Sequence, residues 1–152
     1  MTGPFGAAYI AGVRYLGIDL GRARIGLALG DDVLSTASGL RVLERKGEVA
    51  DLASLCEVAK EYDVEQIVVG LPLNMDGTEG ASARLARSFA ARLGESLRIP
   101  VDLFDERLST FEAEARLRDR GLSARETKER VDAEAAAVIL QGWMDGRSAC
   151  AS

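Results

Sequence analysis

There is no histidine in the 152-residue chain, and its two cysteines, Cys56 and Cys150, lie far apart with no CxxC spacing. Zinc sites built on His and Cys are thereby excluded, as are Ser-His and Cys-His nucleophilic catalysis. Two distant thiols suit a reducing, cytoplasmic setting better than a disulfide framework. Aromatic residues make up only 5% of the chain, which weakens any reading as a base-stacking platform. No apolar run is long enough to span a bilayer, so no membrane association is expected. The opening "MTGPFGAAYIAGV" lacks a basic n-region and is broken by glycines, so no signal peptide is expected either. Neither "GxxxxGK[ST]" nor "GxGxxG" occurs, which removes the common nucleotide-binding loops.

What is present describes one ordinary globular domain, with 47% hydrophobic and 28% charged residues. The net charge of −5 is the wrong sign for a general polyanion binder. Positive charge is nevertheless concentrated, mostly as arginine, between residues 84 and 130. An arginine surface of that kind can hold phosphates on an acidic protein, or it can be a set of solvated helix faces.

The pattern predicts strands over 14–20, through "IGLALGDD", and over about 35–43, together an antiparallel meander. "GEVADLASLCEVAKEYDV" has Val49, Leu52, Leu55, Cys56 and Ala59 at helical spacing. "QIVVGLPL" is a continuous apolar run of the kind found in central parallel strands. It leads into "NMDGTEG", a loop with a D-G turn signal. An Ala/Arg-rich helix follows, closing near Gly94, and then the strand "IPVDLFDER". Ser109 and Glu112 fit a capping box for another helix that stops at Gly121. A last helix runs from about Arg125 to Met144. The expected fold is α/β, a single domain with a five-stranded mixed sheet flanked by helices over 14–146. Residues 1–13 are expected to be a flexible extension and 147–152 a loose tail.

Three acids stand where packing does not want them. Asp19 interrupts the apolar strand "YLGIDLG". Glu106 ends another apolar strand, on the same side as Phe104. Asp132 lies near the centre of the apolar stripe Val131, Ala135, Val138, Ile139 and Trp143 of the last helix, so it is expected to point inward and Glu134 outward. A lone buried carboxylate is more often structural than functional, held by a cap, an amide or an arginine. Three on three elements of one small core would repel one another unless a cation sat among them. Mg²⁺ or Mn²⁺ takes oxygen ligands and keeps waters for substrate phosphates, so a metal site for phosphodiester hydrolysis would explain all three.

"GIDLGRARIGLALGD", "IVVGLPLNMDGTEG", "DERLSTFEAEARL" and "KERVDAEAAAVILQGWMD" resemble, in order and spacing, the YqgF/RuvX family of pre-16S rRNA nucleases and Holliday-junction-resolvase-like proteins. The resemblance implies an RNase H-like fold, a metal-dependent nuclease, and an acidic triad at Asp19, Glu106 and Asp132. Related RuvC resolvases carry a further acid one helical turn after the helix aspartate, where this chain has Ala135.

Candidate substrate-binding residues surround the acids. Lys128 lies one turn before Asp132, with an i,i+4 ion pair as the ordinary alternative. Arg24 follows the first strand and matches a basic position of the family pattern. Arg84 and Arg87 share a helix face and are candidate phosphate contacts. Asn74, with Gly77 and Gly80, is read as a mobile lip at the end of the central strand, where open α/β sheets place ligands. Arg107 is balanced between a role at the site and an ion pair with Asp105 or Asp102. Trp143 and Cys56 are read as core.

Cleavage of structured RNA, the 5′ processing of pre-16S ribosomal RNA, is the leading expectation, and cleavage of branched DNA the second. Resolvases of the RuvC type cut two strands as symmetric dimers, so a monomer or a homodimer fits, depending on substrate. "GIDLG" also resembles the first phosphate loop of the actin/sugar-kinase ATPases, but those need two such domains. A catalytically silent binding module is the remaining alternative, and three inward-pointing acids argue against it.

Overall fold

The computed structural model describes residues 12–108 and 127–151. The strands are β1 (Arg14–Leu20), β2 (Arg24–Asp31), β3 (Ser38–Glu44), β4 (Gln66–Leu71) and β5 (Val101–Asp105). The helices are α1 (Glu48–Glu61), α2 (Ala81–Leu97) and α3 (Thr127–Ala151), with a 3-10 turn at Glu106–Leu108. The strands form one five-stranded sheet in the order β3-β2-β1-β4-β5. β1, β2 and β3 pair antiparallel, whereas β4 pairs parallel with both β1 and β5. This is the expected mixed sheet. The capping box at Ser109 and Glu112 and the stop at Gly121 lie outside the described residues.

Alternation along the strands sends two different sets of side chains to the two faces. Leu16, Ile18, Ile25, Leu27, Ile67 and Val69 pack with α1 and α2 through Leu55, Val58, Phe89 and Leu93. Tyr15, Ala28 and Val68 meet α3 through Ala136, Ala137, Leu140 and Trp143. The α3 side of the sheet carries Gly17, Gly26, Gly30 and Gly39 among its residues, and a Cβ at Gly17 would lie 2.7 Å from the Leu140 Cβ. The helix can therefore lie almost on the sheet backbone.

Two helices depart from the periodicity reading. On α1, Val49 is 84% exposed while Asp51 is buried. On α3 the buried positions include Ala133, Ala136, Ala137, Ile139, Leu140, Gln141, Trp143 and Met144, and Val131 is exposed. The stripe is rotated because Ala133, Ala136 and Ala137 fit closely against the glycines of the sheet, alongside the larger Ile139, Leu140, Trp143 and Met144. Asp132 consequently lies at the edge of the buried face and not at its centre. The helix also runs past Met144 to Ala151, continuing through Gly142 and Gly146.

Candidate active site

Asp19 projects from β1 toward α3, on the same side as Tyr15 and Gly17. Its cross-strand partner on β2 is Gly26. A Cβ at Gly26 would overlap the carbonyl oxygen of Asp132, so the α3 backbone rests on the strand directly beside Asp19. On the other flank, Gly70 follows Val69, the parallel partner of Ile18. A Cβ there would lie 2.6 Å from Ile139 Cδ1 and 3.2 Å from Glu106 Oε2. Glu106 thus leans over β4 toward β1. Two glycines clear the space through which two acids approach a third.

Glu106 opens the 3-10 turn and does not end the strand, which stops at Asp105. The Asp105 carboxylate accepts the Arg107 backbone N–H at 3.0 Å and so fixes the turn. Phe104, packed on Gly142 of α3, and Glu106 remain on one side, as the alternation requires.

The electrostatics divide the three acids. Burial pushes the Asp19 carboxyl above its ordinary value, and the Asp132 charge pushes it further. Glu106 is pushed up to about 7, first by burial, then by Asp19 and Asp105. Asp132 is differently placed: its Oδ2 accepts from Arg24 Nε at 2.6 Å. Asp19 and Glu106 are therefore two half-buried charges driven together without a cationic partner among the described residues. All donors are oxygens, a set suited to a hard divalent cation, which would relieve their repulsion. Among the described residues, no three acidic side chains stand close enough to form a ready-made ligand set for one ion.

The turn that carries Arg24 is itself anchored. Gly21 N–H donates to the Arg24 carbonyl at 2.9 Å, and Arg45 N–H to the Ala23 carbonyl at 2.9 Å. The Arg45 guanidinium donates to the Gly21 carbonyl and to Asp51 Oδ2, each at 2.8 Å. Asp51, 3% exposed, also accepts the Lys46 N–H at 3.0 Å. Burial works against its charge, but these donors outweigh that and hold the carboxyl below its ordinary value. Sequence reasoning missed Arg45 and Asp51. The available signal was an acid in the first turn of α1, where it caps backbone amides.

The lip after β4 is internally bonded. Asn74 spends its amide on Thr78 Oγ1 at 2.9 Å, and Thr78 donates to Asp76. Gly77 adopts φ 87, the conformation the D-G signal calls for. Arg107 makes the ion pair with Asp105 at 2.8 Å and also donates to the Met75 carbonyl at 3.3 Å. Arg107 thereby ties the lip to the turn that bears Glu106.

The remaining candidates are dispersed. Arg87 is paired with Glu79 at 2.6 Å, and Arg84 is exposed, reaching the Glu79 carbonyl at 3.4 Å. Lys128 is in α3 one turn before Asp132, with its side chain outside the described residues. Glu134, expected to point outward, has Oε2 buried without a hydrogen-bond partner. Trp143 is core and donates through Nε1 to Asp102 at 3.0 Å.

Residues 13–146 match the family profile described as "RuvX: Holliday junction resolvase". The chain belongs to the RuvX family. A relative from Anaeromyxobacter sp. (strain Fw109-5), named "Putative pre-16S rRNA nuclease", is 66% identical over 137 residues, covering 90% of this chain and 100% of its own. A protein of the same name from Syntrophomonas wolfei is 48% identical over 90% of this chain and 96% of its own. Among solved structures, T. thermophilus RuvC in complex with Holliday junction substrate superposes with a TM-score of 0.61 at 20% identity, over 90% of this chain and 96% of that one. That likeness establishes the RuvC-like, RNase H-type fold for this RuvX member. The resemblance read from the four sequence motifs is borne out. Among the described residues, no helix is long and apolar enough to cross a membrane.

Proposed function

We propose that this chain is a divalent-metal-dependent endonuclease of the cytoplasm, hydrolysing phosphodiester bonds in structured nucleic acid in the 5′ processing of pre-16S rRNA. The observation that carries the reading is the pair Asp19 and Glu106, half-buried and repelling one another, with Gly70 leaving the room into which Glu106 leans. Such a pair costs stability unless a cation or a proton occupies it. Asp19 and Glu106 are the residues that would hold Mg²⁺ or Mn²⁺, and the ion would supply charge to a phosphate and a more acidic bound water.

The other residues take roles that follow from their surroundings. Asp132 holds Arg24 at the rim, and that half-exposed guanidinium would serve as a phosphate contact. Arg84, exposed on α2, is a second phosphate contact, with Lys128 a third on α3. Arg87 serves chiefly to fix Glu79, and Asn74 to shape the lip. The names of the relatives favour ribosomal RNA precursor as substrate, and the family description favours branched DNA as the second reading.

The test offers wild type and Asp19→Asn a 5′-extended 16S precursor and a four-way DNA junction, in Mg²⁺ and in Mn²⁺. Asparagine keeps the shape and removes the charge, so a folded, inactive variant is expected. Cleavage of the RNA by wild type alone supports the reading; preference for the junction favours the second. No cleavage of either, or equal cleavage by both proteins, overturns the metal-nuclease reading in favour of a silent binding module.

A further inference from the structure

A cavity of about 230 Å³ lies at the end of β1 away from Asp19. The turn after β2 lines it with Asp31, Asp32 and Ser35, α3 lines it with Trp143 and Arg147, and β1 adds Tyr15. Tyr15 and Asp19 project from the same side of β1, four residues and so about 13 Å apart. The cavity is therefore separate from the acidic centre but shares its face of the sheet.

Its walls are fixed in place. Gln141, 3% exposed, accepts the Ala37 N–H at 2.9 Å and donates to the Ser35 carbonyl at 3.0 Å. A buried amide thus bolts the turn to the helix. Asp31 Oδ1 accepts the Val33 and Leu34 N–H groups at 2.9 and 2.7 Å, and Asp32 Oδ1 accepts the Val13 N–H at 2.9 Å. Each carboxylate is held through one oxygen, with Oδ2 outside these bonds. The Tyr15 and Trp143 rings meet edge to face, their centroids 5.0 Å apart. The exposed Arg147 guanidinium lies 4.6 Å from the Trp143 centroid. Burial raises the Tyr15 hydroxyl above its ordinary value, so it remains a donor at neutral pH.

These groups select their guest. Two carboxylates repel a phosphate, and the Arg147 charge already on the indole face repels an ammonium. What fits is a neutral planar ring that stacks on a guanidinium and donates to carboxylates along one edge. Guanine has that edge: N1–H and the 2-amino group donate side by side, and O6 next to them accepts. The volume agrees, since it falls below the roughly 300–1,000 Å³ of pockets for larger ligands and suits one bicyclic base. We infer that this cavity binds a guanine base, stacked on Arg147, with Asp31 and Asp32 accepting from N1–H and the 2-amino group and Tyr15 donating to O6. In a duplex those donors belong to cytosine, so the guanine that enters is an unpaired one. The inference rests on the nuclease reading only for the source of the base, an unpaired nucleotide of the RNA substrate.

Trp143 is the single tryptophan of the chain, so its fluorescence reports on the cavity directly, with calorimetry as a second readout. The full chain is titrated in EDTA, to prevent cleavage, with guanosine, inosine and adenosine monophosphates. A short single-stranded RNA with one guanine, or with adenine in its place, is then added in competition. Guanosine monophosphate should bind about tenfold or more tightly than the adenosine compound, with inosine monophosphate, which lacks the 2-amino group, between them. Asp32→Asn keeps the bond to the Val13 N–H but sets a donor against a donor, and should weaken binding about tenfold. Arg147→Ala should weaken it by a similar factor. Circular dichroism confirms that each variant is folded. Only the guanine RNA should displace guanosine monophosphate. Equal binding of the guanosine and adenosine compounds, or binding unchanged in both variants, overturns the inference. A guanosine monophosphate that the RNA does not displace overturns the RNA source and leaves a free nucleotide as the ligand. Guanine binding without cleavage of any nucleic acid in Mg²⁺ or Mn²⁺ would sink the nuclease reading and leave the base site standing. Cleavage without guanine preference in binding would do the reverse.

Discussion

Asp19 and Gly26 face each other across the β1–β2 ladder, and the carbonyl oxygen of Asp132 sits where a side chain at position 26 would begin. The glycine is thus what lets the last helix bring its acid beside the first strand's acid.

Gly26→Ala should damage stability and site together. The added methyl meets backbone, not a flexible side-chain tip, so α3 must lift. Overpacking of this kind costs about 2 kcal/mol or more, seen as a Tm lower by roughly 4–8 °C in a chain of this size. Calorimetry and the cleavage assay should fall in parallel, whereas an unchanged Tm would mean that α3 is seated differently.

The metal-free chain should lose stability as pH rises. Glu106 has a carboxyl pushed up to about 7 against an ordinary 4.5, so the folded state binds its proton more tightly than the unfolded state. The associated stability is fully present below about pH 4.5 and is lost as pH rises through about 7. Glu106→Gln should flatten this dependence and exceed wild type in Tm at pH 8. Mn²⁺ should raise the wild-type Tm at pH 8 and leave that of Glu106→Gln nearly unchanged. A wild-type Tm that does not vary between pH 5 and 8 would contradict the shift.

Asp51→Ala should be the most destabilising single change to a charged residue among those described. It strands the Arg45 guanidinium and the Lys46 amide in a half-buried setting, a loss of about 3 kcal/mol. Urea denaturation measures it. Because Arg45 also anchors the Arg24 turn, cleavage should weaken even under conditions where the variant is fully folded. A loss below about 1 kcal/mol would mark the pair as an ordinary surface bridge.

Arg107→Ala should separate the lip from the Glu106 turn with little effect on the fold. Its ion pair is exposed, so stability should change little. Hydrogen exchange at residues 74–78 should accelerate, and the KM for nucleic acid should rise more than kcat falls. Unaltered exchange would show that the lip's own hydrogen bonds suffice.

The sheet and its order of elements were legible because each strand is a local statement, an apolar run or an alternation bounded by turn residues. The acids Asp19 and Glu106 were legible for a related reason, since each contradicts the run it interrupts. Asp132 was found for a partly mistaken reason. The stripe Val131, Ala135, Val138, Ile139 and Trp143 includes Ile139 and Trp143, which are buried, but also Val131, which is exposed, and it omits Ala133, Ala136 and Ala137, which fit against the glycines of the sheet. Periodicity weights the large residues and cannot see that. The Arg24–Asp132 pair was out of reach altogether. Its partners are 108 residues apart, and either could have found another charge nearby. Arg45 and Asp51 failed for the opposite reason, an ion pair so close in sequence that it passes for surface charge.

The pairing across 108 residues also bears on when the molecule can act. Asp19 is made before the helix that bears Asp132. Contacts of such separation form late in folding. A chain made only as far as residue 108 therefore carries all five strands with Asp19 and Glu106 but no Arg24–Asp132 clasp. The assembled centre belongs only to a chain whose helix α3 has been made and docked on the sheet.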